Sequence, residues 1–361
     1  MAKRIGIVTG GGDSPGLNTV IRAVVKAASR RGWASIGFQG GYEGMLDPMK
    51  YRSLEYRDMD SLLFRGGTIL GTSNRGRFSA KVGHGEVRRV DEDVLVEAYD
   101  NFKQLELQAL VCIGGDGSLT IAQQLYETGM PVVGIPKTID NDLDATIMTF
   151  GFETAVTCAV DALDRLHTTA ESHERVMVLE VMGRYAGWIA ASAGLAGGAD
   201  VILIPEIPFN YESIIARIRE REEYGKRFTI IIVAEGAHEE GSDYTGMAAG
   251  EKAGEVRLGG IGHVVANEIQ KRTGKETRAV VLGHLQRGGS PTAWDRQLCT
   301  RFGVSAVEQV AEQNFGVMVA LTPSGIAPVA LVDAVDRIRT VPPDGEIVRV
   351  GRALGISFGG G

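Results

Sequence analysis

Two carboxylates stand two residues apart in Thr138-Ile139-Asp140-Asn141-Asp142, directly after Pro136 and Lys137. In an extended segment Asp140 and Asp142 would face the same way, so that one takes a proton from an alcohol while the other tunes it or lies near a metal. Asx turns are the competing use of such residues. A lysine beside two carboxylates suits phosphoryl transfer, where positioned charge does most of the work. A third carboxylate, Asp116, sits in Gly114-Gly115-Asp116-Gly117-Ser118. An aspartate in such an amide-rich turn either caps a helix or holds Mg2+ together with substrate phosphates. Ser118 would serve equally well as the cap, which favours the metal role for Asp116.

Phosphate needs backbone amides and guanidinium groups, and both recur. Gly10-Gly11-Gly12-Asp13-Ser14-Pro15-Gly16-Leu17-Asn18 follows an apolar run and opens a helical pattern, so its N–H groups and the helix dipole can cradle an anion. It is not the dinucleotide fingerprint, because Pro15 takes the third glycine position and Arg30-Arg31 stand where an acid is needed. Gly71-Thr72-Ser73-Asn74-Arg75-Gly76 has P-loop glycine spacing, but Arg77-Phe78 follows instead of Lys-Ser/Thr. Arg65, Arg75 and Arg77 are candidate phosphate forks, with a solvated basic loop as the alternative for Arg77. In His284-Leu285-Gln286-Arg287-Gly288-Gly289, a histidine and an arginine share a glycine-rich loop, a candidate anion site. His167, His173 and His263 have neither metal-ligand spacing nor a Ser/His/Asp pattern around them.

The elements that must position these groups are written in the apolar runs. Ile5–Thr9, Ala109–Ile113, Val132–Ile135, Val176–Val181 and Thr229–Ala234 are short Val/Ile-rich stretches, the mark of strands buried on both faces. Helical spacing follows several of them, as in Asn18–Arg31 and the segment through Tyr126. An α/β class with parallel sheets covered by helices is expected, with the polar turns at strand ends, where open sheets place their ligands. Residues 239–260 are polar and glycine-rich and predict a long surface loop. A helix beginning near Gly151 marks a second sheet and a boundary near residue 150.

Composition narrows the classes. The 361 residues are 44% hydrophobic and 23% charged with a net charge of -7, a globular balance that speaks against a surface built for nucleic acid or anionic membrane. Glycine is the outlier at 49 residues, about twice ordinary usage. Cys112, Cys158 and Cys299 are isolated, so neither a disulfide framework nor a structural zinc site is expected, and a reducing cytoplasm fits. No targeting or membrane-spanning segment is visible.

In order along the chain, Gly-Gly-Asp-Ser-Pro-Gly-Leu-Asn at 11–18, Gly-Gly-Thr-Ile-Leu-Gly at 66–71, Gly-Gly-Asp-Gly-Ser at 114–118, Thr-Ile-Asp-Asn-Asp at 138–142, Glu-Val-Met-Gly-Arg at 180–184 and Gly-His-Leu-Gln-Arg-Gly-Gly at 283–289 resemble the phosphofructokinase A family. The resemblance implies two similar Rossmann-like α/β domains with the active site in the cleft between them. Residues 1–150 and about 285–335 would form the phosphoryl-donor domain, and 151–284 with about 336–361 the sugar-phosphate domain. It implies phosphoryl transfer to the 1-hydroxyl of fructose 6-phosphate in glycolysis, with Asp140 as base, Asp142, Arg184 and Thr138 beside it, and Asp116 as Mg2+ ligand. Gly12, Arg75, Gly115, Gly117, Ser118 and Lys137 would contact the phosphoryl donor. Thr138, Ile139, Asp140, Met182, Gly183, Arg184, Glu235, His284 and Arg287 would hold the sugar phosphate. Arg175 and Arg278 would reach it from a neighbouring subunit, which implies a homo-oligomer, a dimer or more commonly a tetramer.

The phosphoryl donor is read at two positions that point different ways. Gly117 is of the ATP type in this family and Lys137 of the pyrophosphate type. A missing side chain at 117 leaves room for the nucleotide-bearing phosphate, whereas Lys137 can serve either donor, so ATP is expected, with ADP and pyrophosphate as alternatives. Bacterial members bind a nucleotide effector between subunits through basic residues. Arg22, Lys26, Arg165 and Arg227 match them here, with Tyr56 in place of an arginine and Phe228 in place of a histidine. Lipid and NAD kinases share Gly-Gly-Asp-Gly followed by Ser or Thr, but the Asp140/Asp142 pair and the His284/Arg287 loop count against them. A catalytically idle sensor of the same fold is disfavoured by intact Asp116, Asp140 and Arg184.

Overall fold

A computed structural model describes residues 3–73, 76–78, 89–242 and 259–360. The chain forms two compact units, one of Met1–Ile139, Leu143–Glu153 and Arg287–Ile338, the other of Asp140–Asp142, Thr154–Gln286 and Arg339–Gly361.

The first unit opens with β1 (Arg4–Thr9), buried from its second residue onward. Helix α1 (Leu17–Arg30) turns Leu17, Val20, Ile21, Val24 and Ala28 inward, one stripe at helical spacing. β2 (Ala34–Phe38), β3 (Tyr51–Leu54), α2 (Glu92–Gln104), β4 (Ala109–Gly114), α3 (Asp116–Glu127) and β5 (Val132–Pro136) follow. Every residue of β4 and β5 is buried, as central strands covered on both faces require.

Helix α4 (Phe152–His173) leads into the second unit, which continues with β6 (Val176–Val181), α5 (Trp188–Ala196), β7 (Val201–Leu203), α6 (Tyr211–Glu223), β8 (Thr229–Ala234), α7 (Ile261–Thr273) and β9 (Thr277–Val281). The chain then returns to the first unit for α8 (Ala293–Ala311), β10 (Val317–Thr322), β11 (Gly325–Ala330) and α9 (Leu331–Val335), and closes the second with α10 (Glu346–Ala353).

Among the described residues the first sheet has the order β11-β10-β5-β4-β1-β2-β3, parallel from β10 to β2 with an antiparallel strand on each edge. The chain leaves β1 for β2 on one side and comes back to β4 on the other, so the order reverses between β1 and β4. That is where an open α/β sheet leaves a crevice for ligand. The register sets the ends of three strands level: Thr9 lies opposite Ile113, and Ile113 opposite Ile135. The glycine turns after β1 and β4 and Lys137 after β5 therefore emerge side by side.

The second sheet, β7-β8-β6-β9, is parallel throughout. Val181 lies opposite Ala234 and Glu180 opposite Val281, so the turns after β6, β8 and β9 emerge together at one end. Each sheet has its own packed core: Leu110, Leu119, Leu125 and Met318 on one face of the first, Ile5, Ile21, Ile135 and Phe302 on the other, and Val178, Leu203, Ile214 and Ile231 in the second. The three cysteines are free, and burial pushes the Cys112 thiol up to about 12. Among the described residues no helix is long and apolar enough to cross a membrane.

Candidate functional site

In the first unit the turn after β1 is tied to the neighbouring strand by the Gly10 amide, which donates to the Ile113 carbonyl at 2.9 Å. The Lys137 ammonium, on a residue only 4% exposed, donates to the Gly12 carbonyl at 2.6 Å. Thr72 Oγ1 donates to the Gly11 carbonyl at 2.5 Å, and Arg287 Nη1 to the Asp13 carbonyl at 3.3 Å. A methyl group at position 12 would lie 2.2 Å from Arg287 Nη1, so the guanidinium lies directly on this turn and would have to shift to admit a side chain there. A strand-end loop thus carries two fixed cations against its carbonyl side.

The second turn stacks on the first. Ser118 fills the space beside Gly10 and Gly114, where a Cβ at either position would come within 3 Å of it. The buried Tyr42 hydroxyl donates to the Ser118 carbonyl at 2.8 Å, and burial together with the adjacent Cys112 raises its pKa well above the ordinary phenol, so it stays a donor. Asp116 is the first residue of α3, whose N-cap is Gly115 with no side-chain cap. The Lys137 amide donates to the Gly114 carbonyl at 2.8 Å. The structure thus gathers Gly12, Gly115, Asp116, Gly117, Ser118, Lys137 and Arg287. Arg75 lies outside the described residues, and Arg77 pairs with Glu97 at 2.7 Å, the solvated-loop alternative.

The paired carboxylates depart from the extended geometry expected for them. Asn141 between them is left-handed, with φ of 52°, so strand alternation does not set Asp140 and Asp142 on one face. The segment is a bend, held by Thr149 Oγ1 donating to the Thr138 carbonyl at 2.7 Å on one side and by the Arg339 amide donating to the Asp142 carbonyl at 2.8 Å on the other. Ile139 is buried and Thr138, Asp140 and Asp142 are half-buried.

In the second unit, Met182-Gly183-Arg184 after β6 meets Glu235 after β8. The Glu235 amide donates to the Val181 carbonyl at 2.9 Å and the Gly236 amide to the Gly183 carbonyl at 3.1 Å. A Cβ on Gly236 would lie 2.0 Å from the Arg184 carbonyl oxygen, so the two turns touch backbone to backbone. The Arg184 guanidinium lies 5.2 Å from the Tyr185 ring centre. Glu206 accepts from the Gly187 amide at 3.0 Å and from the Val341 amide at 2.7 Å, which anchors the far end of the same turn; burial raises its pKa. His284 is exposed in the turn Gly283–Arg287 after β9.

Arg175 and Arg278 are not brought to these turns. Arg175 precedes β6 and Arg278 is the second residue of β9, at the opposite end of the parallel strands, and the six residues of β6 span roughly 20 Å. Both instead share Glu276, at 2.8 and 2.5 Å. Hydrogen bonding to Arg175 and the charges of both arginines hold the Glu276 carboxyl below its usual range. Of the other basic residues, Lys26 pairs with Asp60 at 2.5 Å and lies 4.3 Å from the Tyr56 ring centre, and Arg227 pairs with Glu174 at 3.3 Å. Phe228 packs edge-on against His167.

A family model described as phosphofructokinase matches residues 4–310. The chain belongs to the phosphofructokinase family. Among relatives of this family, an ATP-dependent 6-phosphofructokinase of Chloroflexus aurantiacus is 52% identical over 361 residues, 99% of this chain and 98% of its own. A pyrophosphate–fructose 6-phosphate 1-phosphotransferase of Amycolatopsis methanolica is also 52% identical, over 345 residues, covering 94% of this chain and 97% of its own. The solved phosphofructokinase of Pichia pastoris, in its T-state, superposes with a TM-score of 0.80 at 32% identity, over 93% of this chain and 36% of that longer one. The two-domain α/β architecture is thus that of solved phosphofructokinases.

Three neighbours of these turns carry no local signal in the sequence. Tyr42 reaches Ser118 across 76 residues, Thr72 reaches Gly11 across 61, and Glu206 reaches Val341 across 135. Asn18, by contrast, closes the first glycine motif of the sequence. Its amide donates to the Arg65 and Gly66 carbonyls at 3.2 and 3.0 Å and its oxygen accepts from the Ile69 amide at 2.8 Å, so it shapes the loop at 65–69.

Proposed function

We propose that the chain is a 6-phosphofructokinase that transfers the terminal phosphoryl group of ATP to the 1-hydroxyl of fructose 6-phosphate, giving fructose 1,6-bisphosphate and ADP. The observation that carries this reading is the convergence, at the ends of β1, β4 and β5, of two glycine turns with Lys137 and Arg287. Glycine turns with cations fixed beside them are what a polyphosphate requires. The first unit takes the phosphoryl donor and the second the sugar phosphate.

Asp140 takes the proton of the 1-hydroxyl as that oxygen bonds to the terminal phosphorus. The bridging P–O bond breaks, and its electron pair leaves on ADP. Asp142 and Thr138 hold and tune Asp140. Arg184, Lys137 and Arg287 meet charge on the transferring group and the sugar phosphate, and Met182, Gly183, Ile139, Glu235 and His284 shape the sugar pocket. Gly12, Gly115, Gly117 and Ser118 present backbone to the phosphoryl donor, and we assign Arg75 to it as well.

Among the described residues no group of three or more acidic, histidine or cysteine side chains is placed to cage a metal. The first turn of α3, which opens on the carboxylate of Asp116, suits Mg2+, which dehydrates reluctantly and is usually bound by one or two carboxylates plus substrate phosphates. Asp116 would hold it, and when bound it would neutralise charge on the donor phosphates.

The enzyme works in the cytoplasm. The donor is tested by supplying fructose 6-phosphate and Mg2+ with ATP, ADP or pyrophosphate in separate assays: turnover with ATP is expected to exceed that with pyrophosphate by at least 10-fold. Equal or faster turnover with pyrophosphate would reverse the choice made at Gly117.

The active form is a homo-oligomer, a dimer or a tetramer, in which Arg175 and Arg278 serve the sugar phosphate of the adjoining subunit. Their position at the far end of the strands from Met182–Arg184 supports this, because they cannot close on their own chain's turns. Arg175→Ala and Arg278→Ala are each expected to raise the sugar-phosphate KM about 10-fold, the worth of one charge-assisted hydrogen bond. Dissociating and reassembling a mixture of the double arginine variant with Asp140→Ser is expected to restore up to roughly a quarter of wild-type activity, since each two-fold hybrid contains one intact site. A mixture as inactive as its parts would show that each site is built from a single chain.

A further inference from the structure

Glu180 opens the Glu-Val-Met-Gly-Arg run. It is the fifth residue of β6 and is 2% exposed, an uncommon place for a carboxylate. Its side chain lies at the start of α7. The Gly260 amide donates to both carboxylate oxygens, at 3.0 and 3.1 Å, and the Gly262 amide donates to Oε2 at 2.8 Å. Gly260, which has no side chain to cap with, is the N-cap of α7, and the Glu180 carboxylate reaches in from the sheet to take amides that a capping side chain would otherwise serve. Negative charge at a helix N-terminus is also favourable to the dipole, the more so out of water. A Cβ on Gly262 would stand 3.0 Å from the Glu180 Cβ, so helix and strand are in direct contact here.

The backbone of the same residue holds the other side: the Glu180 carbonyl accepts from the Leu282 amide at 3.0 Å, just past the end of β9. One residue therefore ties α7, the end of β6 and the end of β9. Two positions on, β6 delivers Met182-Gly183-Arg184, and two positions past Leu282 the chain delivers His284. Helix α7 packs against both strands.

We infer that Glu180 is a positioning residue for the sugar-phosphate site, its carboxylate locking the first turn of α7 onto β6 so that the Met182–Arg184 and His284 turns keep their spacing. This rests on the assignment of those turns to the sugar phosphate in the proposed function. Glu180→Gln presents an NH2 group to at least one amide that needs an acceptor, and Glu180→Asp draws the carboxylate back by one methylene. The sugar-phosphate KM is expected to rise about 10-fold in Glu180→Gln and about 3-fold in Glu180→Asp, with the ATP KM and kcat within 2-fold of wild type, because small displacements at a positioned site act on binding geometry. If Glu180→Gln does not fold, the Asp variant decides alone by the same split. An unchanged sugar-phosphate KM, or an equal rise in both KM values, overturns the inference.

Amide hydrogen exchange on the ligand-free protein supplies an arm that does not depend on activity: Gly260, Gly262 and Leu282 are expected to exchange at least 10-fold faster in Glu180→Gln. Wild-type protein that fails to phosphorylate fructose 6-phosphate would overturn the functional reading instead, and faster exchange in the variant would then still establish the lock. Unchanged exchange would show that the carboxylate holds nothing.

Discussion

Asp140→Ser is expected to lower kcat by ~10^3-fold while leaving the KM for fructose 6-phosphate and for ATP within about 3-fold of wild type. A base acts on the proton only as the oxygen attacks, so its loss appears in the chemical step, a barrier increase of about 4 kcal/mol. Serine is small enough for the half-buried bend and carries no charge, which keeps the variant folded around the left-handed Asn141. Steady-state kinetics with a binding titration check it. Turnover equal to wild type would remove Asp140 from the mechanism, and a large rise in KM with unchanged kcat would make it a binding group instead.

Gly236→Ala is expected to raise the KM for fructose 6-phosphate by ~10^2-fold without a comparable effect on the KM for ATP. The added methyl would lie 2.0 Å from the Arg184 carbonyl oxygen and 2.8 Å from its carbonyl carbon, and these are backbone atoms that cannot rotate away. Either the turn after β8 or the one after β6 must move by about an ångström, and an error of that size at a binding turn costs about this much. Overpacking also lowers stability, by about 1–3 kcal/mol. Gly225→Ala separates the two effects. Gly225 has φ of 78° with open space around a Cβ, so alanine there costs backbone strain alone and should reduce thermal stability without touching either KM. Equal KM values in Gly236→Ala and wild type would mean that the Arg184 turn takes no part in sugar-phosphate binding.

The α/β class and the strand-end turns were legible because buried parallel strands leave an unambiguous trace: Val132–Ile135 and Val176–Val181 contain almost nothing but β-branched or large apolar residues. The helix after the first glycine turn was expected at Asn18–Arg31 and is found at Leu17–Arg30. Edge strands left weaker traces. Tyr51–Leu54 has one buried residue in four and reads as loop, and Gly325–Ala330 carries a proline that only an edge position tolerates.

The site was legible as parts and not as an arrangement. Gly12 and Arg287 both stood out by residue type, yet 275 positions separate them and nothing local says that one closes on the other. Strand alternation does not carry through Asp140 and Asp142 because it holds only while φ stays negative, and asparagine is among the few residues that enter the left-handed region at small cost. Glu180 looked like one more strand residue, since a buried carboxylate is explained only by the amides that reach it from another element.

The chain crosses between its two units five times, at residues 139–140, 142–143, 153–154, 286–287 and 338–339. During synthesis on the ribosome the first unit is therefore left without α8 and β10 until nearly the whole polypeptide has emerged, although α8 packs on α1 and β10 pairs with β5. Vectorial, one-domain-at-a-time maturation is closed to this molecule, in contrast to chains whose domains are consecutive. Neither half can be expressed by simple truncation, and a nascent chain stalled before residue 287 should expose an unfinished sheet and engage chaperones until its last segments arrive.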